Sequence, residues 1–194
     1  MLYIILGITG LLVIHVFDVA SIRRLPVVKP VIWAAGSILF VFAVVMLALE
    51  TGTLPLPVWM AWPGWALFAV SSVLLVFSLF INLPLKKTYI DKGVGDRLIR
   101  SGLYSLVRHP GVLSLTLVLL SLILVSRSLM LLVATPVFLL LDVILVVIQD
   151  RVFFVKMFSD YRDYQQETPM LLPRPQSLIA LLKPAKTIKN KSFT

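Results

Sequence analysis

Apolar and polar residues are arranged along this chain in long blocks. Residues 2 to 20 form a first apolar run, 31 to 49 a second and 64 to 83 a third, and 111 to 126 and 129 to 149 follow as a close pair. About 20 residues at 1.5 Å rise cross a hydrocarbon core of roughly 30 Å. The pattern predicts an all-α integral membrane protein of about five transmembrane helices. The fourth run is short for a span. Ser126, Arg127 and Ser128 separate it from the fifth, so 111 to 149 reads as a helical hairpin whose Arg127 turn approaches the far interface. Pro136 marks a kink in the second arm, and Asp142 is buried in the same run.

The segments between the runs set an orientation. Residues 21 to 30 carry Arg23, Arg24 and Lys29, whereas 50 to 61 carry no basic residue. Pro55 and Pro57 break any helix there, and Trp59, Trp62 and Trp65 read as an interfacial belt. Lys86, Lys87, Lys92, Arg97, Arg100 and Arg108 crowd the segment 84 to 110, which Gly93, Gly95 and Gly102 make turn-rich. No Lys or Arg lies between Pro30 and Leu85. The positive-inside bias therefore gives an outside N-terminus, with 84 to 110 and the C-terminus in the cytosol. The first run lacks a basic leader and a small-residue cleavage site and reads as a retained span.

After residue 149 the chain turns polar. Phe153, Phe154, Met157, Phe158 and Tyr161 recur at helical spacing, predicting one amphipathic helix that leaves the membrane. Lys183, Lys186, Lys189 and Lys191 follow without an acid and read as a loose cytosolic tail. Three regions result: 1–83 with three transmembrane helices, 84–175 with the hairpin and C-terminal helix, and 176–194 as the basic tail.

Composition agrees and narrows the function. The chain is 59% apolar and 14% charged, with mean hydropathy +1.00, more apolar surface than a soluble domain of this size can hide. The net charge of +9 flanks apolar spans and forms no face, which excludes nucleic acid and points to anionic lipid head groups. There is no cysteine, and the two histidines are far apart in sequence, so neither a thiolate nucleophile nor a metal site is expected. His15 and Asp18, three apart on one helical face, read as a polar pair that satisfies itself near the cytosolic end.

Chemical capacity concentrates in SGLYSLVRHPGVLS, Ser101 to Ser114. A tight hairpin puts His109 and Gln149 at one membrane face. A pocket with a cation, an imidazole, a phenol (Tyr104) and a carboxylate (Asp150) follows, roofed by the aromatic helix, with Arg108 and His109 as the candidate catalytic pair. Spacing also allows a plainer arrangement: Arg108 on a lipid phosphate, His109 capping the new helix and Pro110 at its first position.

Gly102-x-Tyr104 leading to Arg108-His109-Pro110, then a hairpin, then MFSDYRDYQQETPMLLP, resembles the isoprenylcysteine carboxyl methyltransferases and the related phospholipid methyltransferases over roughly residues 84 to 175. The resemblance implies S-adenosylmethionine bound at the cytosolic face and a lipid-like or isoprenylated acceptor arriving through the bilayer. By position it implies that the backbone around Asp96, Arg97, Leu98 and Ile99 lines the cofactor. Tyr104, His109, Pro110, Gly111 and Val112 continue that wall, and Gln149, with Asp150 beside it, holds the cofactor's amino group. The chain departs from the pattern at Val112, where the family has tyrosine, at Ser114, where it has glycine, and at Gln149–Asp150, where it has Glu-Glu. Leu145 stands where eukaryotic members place an arginine near the substrate, against a prenylcysteine carboxylate. Two other functions fit the same stretch. One is a non-catalytic member with a decayed cofactor site and an interaction or lipid-binding role. The other is a membrane reductase using a nicotinamide cofactor, because certain sterol and steroid reductases resemble this hairpin.

Overall fold

A computed structural model describes residues 1–25, 27–50, 52–83, 86–90 and 98–175, with backbone alone at 86 and 87. Asp96, Arg97 and the basic tail 176–194 lie outside the described residues. The described residues are helical throughout, apart from turns and one isolated bridge between Thr53 and Ser128.

Helix α1 is Leu2–Ile22 and α2 is Val28–Ala48, each of 21 residues. Helix α2 starts ahead of its apolar run and takes Lys29 and Pro30 into its first turn, where proline's missing N–H has no helical partner to lose. The third span begins with a 3₁₀ turn, Val58–Met60, runs through α3, Ala61–Val76, and closes in a wide π turn, Phe77–Ile81. Trp59 and Trp62 are therefore helical, and they and Trp65 are exposed, as interfacial anchors are. After the single-turn α4, Leu103–Leu106, come α5, Pro110–Ser126, and α6, Leu129–Ile148, which runs through Pro136 without a break. Four stretches are long and apolar enough to span a membrane: Leu2–Ile22, Val28–Ala48, Val58–Ile81 and Leu129–Met157, with Pro110–Ser126 as a shorter fifth. The chain is an integral membrane protein.

Packing explains why a short α5 suffices. Its 17 residues reach only about 25 Å, but the turn it ends in is tied to the loop at the far end of the bundle. Leu54 N donates to Arg127 O (2.6 Å) and Leu129 N to Gly52 O (2.9 Å). Ser128 Oγ donates to Leu47 O (2.6 Å) and accepts from Leu131 N, capping α6. Helices α5 and α6 touch, yet α5 packs mainly on α3, and α6 lies across α1, α2 and α5. Gly64 of α3 makes the first of these contacts close, since a Cβ there would sit 3.0 Å from Leu124 and Val125 side chains. The core gathers Leu11, Phe40, Leu47, Leu119, Leu131 and Phe138.

One buried group stands against this apolar background. Asp142 of α6 is 6% exposed, and no described residue hydrogen-bonds to it. A charged side chain at mid-helix in lipid is disfavoured by about 2.5–3.5 kcal/mol on insertion scales. Asp142→Leu is therefore expected to raise the midpoint of thermal unfolding in detergent. A lowered midpoint would mean that a group beyond the described residues pairs with the carboxylate.

Candidate active site

The stretch from Ser101 onward is shaped by turns. Gly102 has φ 62°, and its missing Cβ leaves room for the Asn82 side chain, whose Nδ2 donates to Ser101 O (2.8 Å). Helix α4 then makes one turn and stops at Val107, which is extended. Pro110 opens α5. His109 precedes it in the capping position but makes no side-chain cap. Its ring stacks on Phe154 instead, with centroids 5.9 Å apart and planes 7° from parallel, and its Nε2 lies 3.3 Å from Asp150 Oδ1.

Asp150 is the hub. Arg108 Nε donates to Oδ1 (2.8 Å) and Nη2 to Oδ2 (3.0 Å); Tyr161 Oη donates to Oδ1 (2.6 Å) and Gln165 Nε2 to Oδ2 (2.9 Å). The Arg108 and Asp150 side chains are 10% and 4% exposed. The remaining guanidinium nitrogen of Arg108 donates to Gln165 O (3.1 Å) and Thr168 O (2.5 Å). Arg108 thus faces inward, and the arrangement that placed it on a lipid phosphate is corrected: a buried carboxylate and two carbonyls hold it. The backbone completes the clamp, with Arg108 N donating to Pro169 O (2.9 Å) and His109 N to Met170 O (3.1 Å).

The expected single amphipathic helix is broken. A π turn, Gln149–Phe153, leads into α7, Phe154–Met157; Phe158 is extended (φ −126°, ψ 122°), and α8 is Tyr161–Glu167. The break turns Tyr161 onto Asp150, while Tyr164 Oη donates to Tyr104 O (2.5 Å). Tyr104 Oη in turn donates to Ser78 O (3.3 Å). Burial pushes the Tyr104, Tyr161 and Tyr164 hydroxyls above the ordinary phenol range, and at Tyr161 the bond to the Asp150 carboxylate adds to it. All three remain donors. Arg100 pins the outer edge of α8 through Asp160 (2.7 Å) and lies over the Tyr164 ring.

The π turn also separates the two residues expected side by side in the pocket. Asp150 faces His109, whereas Gln149 Nε2 lies 3.0 Å from both carboxylate oxygens of Asp18 on α1. The reading of His15 and Asp18 as a mutually satisfied pair is therefore corrected. His15 Nδ1 bonds its own helix at Leu11 O (3.0 Å), and Asp18 is met from the π turn that follows α6. Of the other cofactor-wall candidates, Pro110 and Val112 are buried at the start of α5, Gly111 lies against Leu79, and Leu98, Ile99 and Tyr104 are half-buried. Sequence reasoning missed Gln165 and Thr168. The one available signal was Gln165 four residues after Tyr161, the same face of α8.

A family profile described as phospholipid methyltransferase matches residues 59–161, over half of the chain. The chain belongs to the phospholipid methyltransferase family. Family membership implies methyltransferase activity on lipid-like substrates in a membrane. The family match takes in Arg108, His109 and Asp150 and leaves α1 and α2 outside. Comparison with curated proteins and with solved structures gives no match.

Proposed function

We propose that this phospholipid methyltransferase family member moves a methyl group from S-adenosylmethionine to a lipid-like acceptor at the basic end of the bundle, and that this end faces the cytosol. The observation that carries the reading is the clamp around Asp150. It fixes the C-terminal segment over the start of α5, where His109, Pro110 and Val112 are buried. Methyl transfer asks mainly for alignment and dryness, because the donor sulfonium arrives already activated.

The cofactor would be held by the backbone at Leu98 and Ile99, by Tyr104, by the wall from His109 to Val112, and by Gln149. The donor chemistry at Gln149 fits an ammonium group. With its NH₂ turned to Asp18, its Oε1 is left as an acceptor, and the carboxylate behind it polarises the amide. Asp150 is engaged by Arg108 and Tyr161, and its part is to position His109. In this division of labour the spans of 1–83 face lipid, 84–175 carries the reaction, and 176–194 meets anionic head groups. One observation favours a second reading, a non-catalytic member. Neither residue of the Gln149–Asp150 pair offers a free carboxylate to a cofactor.

Calorimetric titration of S-adenosylmethionine and S-adenosylhomocysteine into detergent-purified protein separates the two. Micromolar binding, weakened at least tenfold by Gln149→Ala, supports the enzyme. No heat at millimolar ligand, with the protein shown to be folded, overturns it in favour of the non-catalytic reading.

A further inference from the structure

His15 has no part in the clamp and lies outside the residues matched to the family. It opens on a groove of about 200 Å³ between α1 and α6. Leu12, Val16 and Val19 of α1 and Ile148 of α6 border this groove, and all four are exposed. On spanning helices, exposed apolar side chains face lipid. The groove's polar groups are His15 and Asp18. Asp18 is already matched by Gln149 through hydrogen bonds.

His15 is matched on one side only. A carbonyl oxygen accepts and cannot donate, so the bond from Nδ1 to Leu11 O puts the hydrogen of the neutral ring on Nδ1 and leaves a lone pair on Nε2. No described residue donates to that nitrogen. Acyl chains carry no donor, but head groups with an amine or a hydroxyl do. His15 stands seven residues before the end of α1 at Ile22, about 10 Å of helix, a depth that a head group can reach from the basic interface. The groove also adjoins the candidate active site. Phe153 on its wall belongs to the π turn that carries Asp150.

We propose that this groove is a lipid head-group site, in which Nε2 of His15 accepts a hydrogen bond from an N–H or O–H of a bilayer lipid whose chain lies along Leu12, Val16 and Ile148. The site needs no cofactor; that its occupant is the methyl acceptor rests on the function proposed above.

The chain has two histidines, so protein labelled with ¹⁵N in its imidazole rings gives two resolvable sets of signals, assigned with His15→Gln. In nanodiscs of phosphatidylcholine, whose head group carries no N–H, the His15 Nε2 resonance should report a free acceptor. In discs with phosphatidylethanolamine added it should move to the hydrogen-bonded position, and Val16→Trp, which fills the groove from an exposed position, should abolish the movement. An unmoved resonance, or one that still moves in Val16→Trp, overturns the proposal. Calorimetry with S-adenosylhomocysteine on the same discs judges the enzymatic reading separately. Binding heat with an unmoved resonance overturns the groove alone. A moved resonance without heat supports the groove and removes its acceptor role.

Discussion

Asp150→Ala is expected to destabilise the protein by about 3–5 kcal/mol, a large part of the 5–15 kcal/mol that holds a typical fold. The carboxylate takes two bonds from Arg108, one each from Tyr161 and Gln165, and a longer one from His109. Its removal leaves a guanidinium buried without a counter-ion and the Tyr161 hydroxyl facing no acceptor, while Gln165 keeps its bond to the Asp150 backbone oxygen. Asp150→Asn keeps the shape but not the charge, so it should fall between wild type and alanine, because charge-assisted bonds are roughly twice as strong as neutral ones. Arg108→Met combined with Asp150→Leu should recover much of the loss, since removing both members of a buried pair leaves no orphan charge. Thermal unfolding in detergent and proteolysis after α7 read the series. Strictly additive single-variant losses would show that Arg108 and Asp150 do not act as one unit.

The spans were legible in the sequence because lipid leaves no choice: a segment that crosses must be apolar for its whole length and must bond its own backbone. The edges were less legible. Lys29 was read with Arg23 and Arg24 as a loop marker, but it is buried within α2, with its ammonium 5.1 Å from the Phe17 ring centroid of α1. A contact between two helices leaves no trace in the local pattern. The same holds at the opposite interface, where Pro55 and Pro57 announced a break but nothing announced that a 3₁₀ turn would carry the span back to Val58.

At the site, the motif residues could be named because the resemblance supplied them, and Tyr104, Arg108, His109 and Asp150 do gather at one end of the bundle. What could not be read was which of Gln149 and Asp150 turns toward His109. A π turn widens the helix by one residue and changes every direction after it, yet QDRVF is compatible with either geometry. Gln149's partner, Asp18, is 131 residues away, beyond any argument from spacing. The aromatic period after Phe153 was real, but a continuous helix would have aimed those side chains along one stripe. The break at Phe158 instead lets Tyr161 reach Asp150 and Tyr164 reach Tyr104. Asp160, which precedes α8, makes no side-chain cap, and its carboxylate meets Arg100.

Gly36→Leu should be as damaging as the loss of Asp150, for a reason that is purely steric. A Cβ at Gly36 would sit 2.7 Å from Ile14 N and 2.9 Å from Gly10 O; one at Gly10 would sit 2.7 Å from Phe40 N. These are backbone atoms of a facing helix and cannot rotate away, so α1 and α2 must separate. Close approach at small residues is what holds helices together in lipid, where burying apolar surface against a neighbour gains little over burying it in acyl chains. Even Gly36→Ala is therefore expected to lower stability by about 1–3 kcal/mol, the range for overpacking, and leucine by more. Gly10→Ala combined with Gly36→Ala should lose less than the sum of the singles, because both open the same crossing. The effect should also travel, since α1 carries His15 and the Asp18 that fixes Gln149. On the function proposed above, S-adenosylmethionine binding in Gly36→Ala should weaken by more than the unfolded fraction accounts for. Val41→Leu, on the exposed face of α2, is the control that should leave both thermal midpoint and binding unchanged. A Gly36→Leu protein with the wild-type midpoint would mean that α1 and α2 are held together by something other than this crossing, and the path from α1 to Gln149 would lose its physical basis.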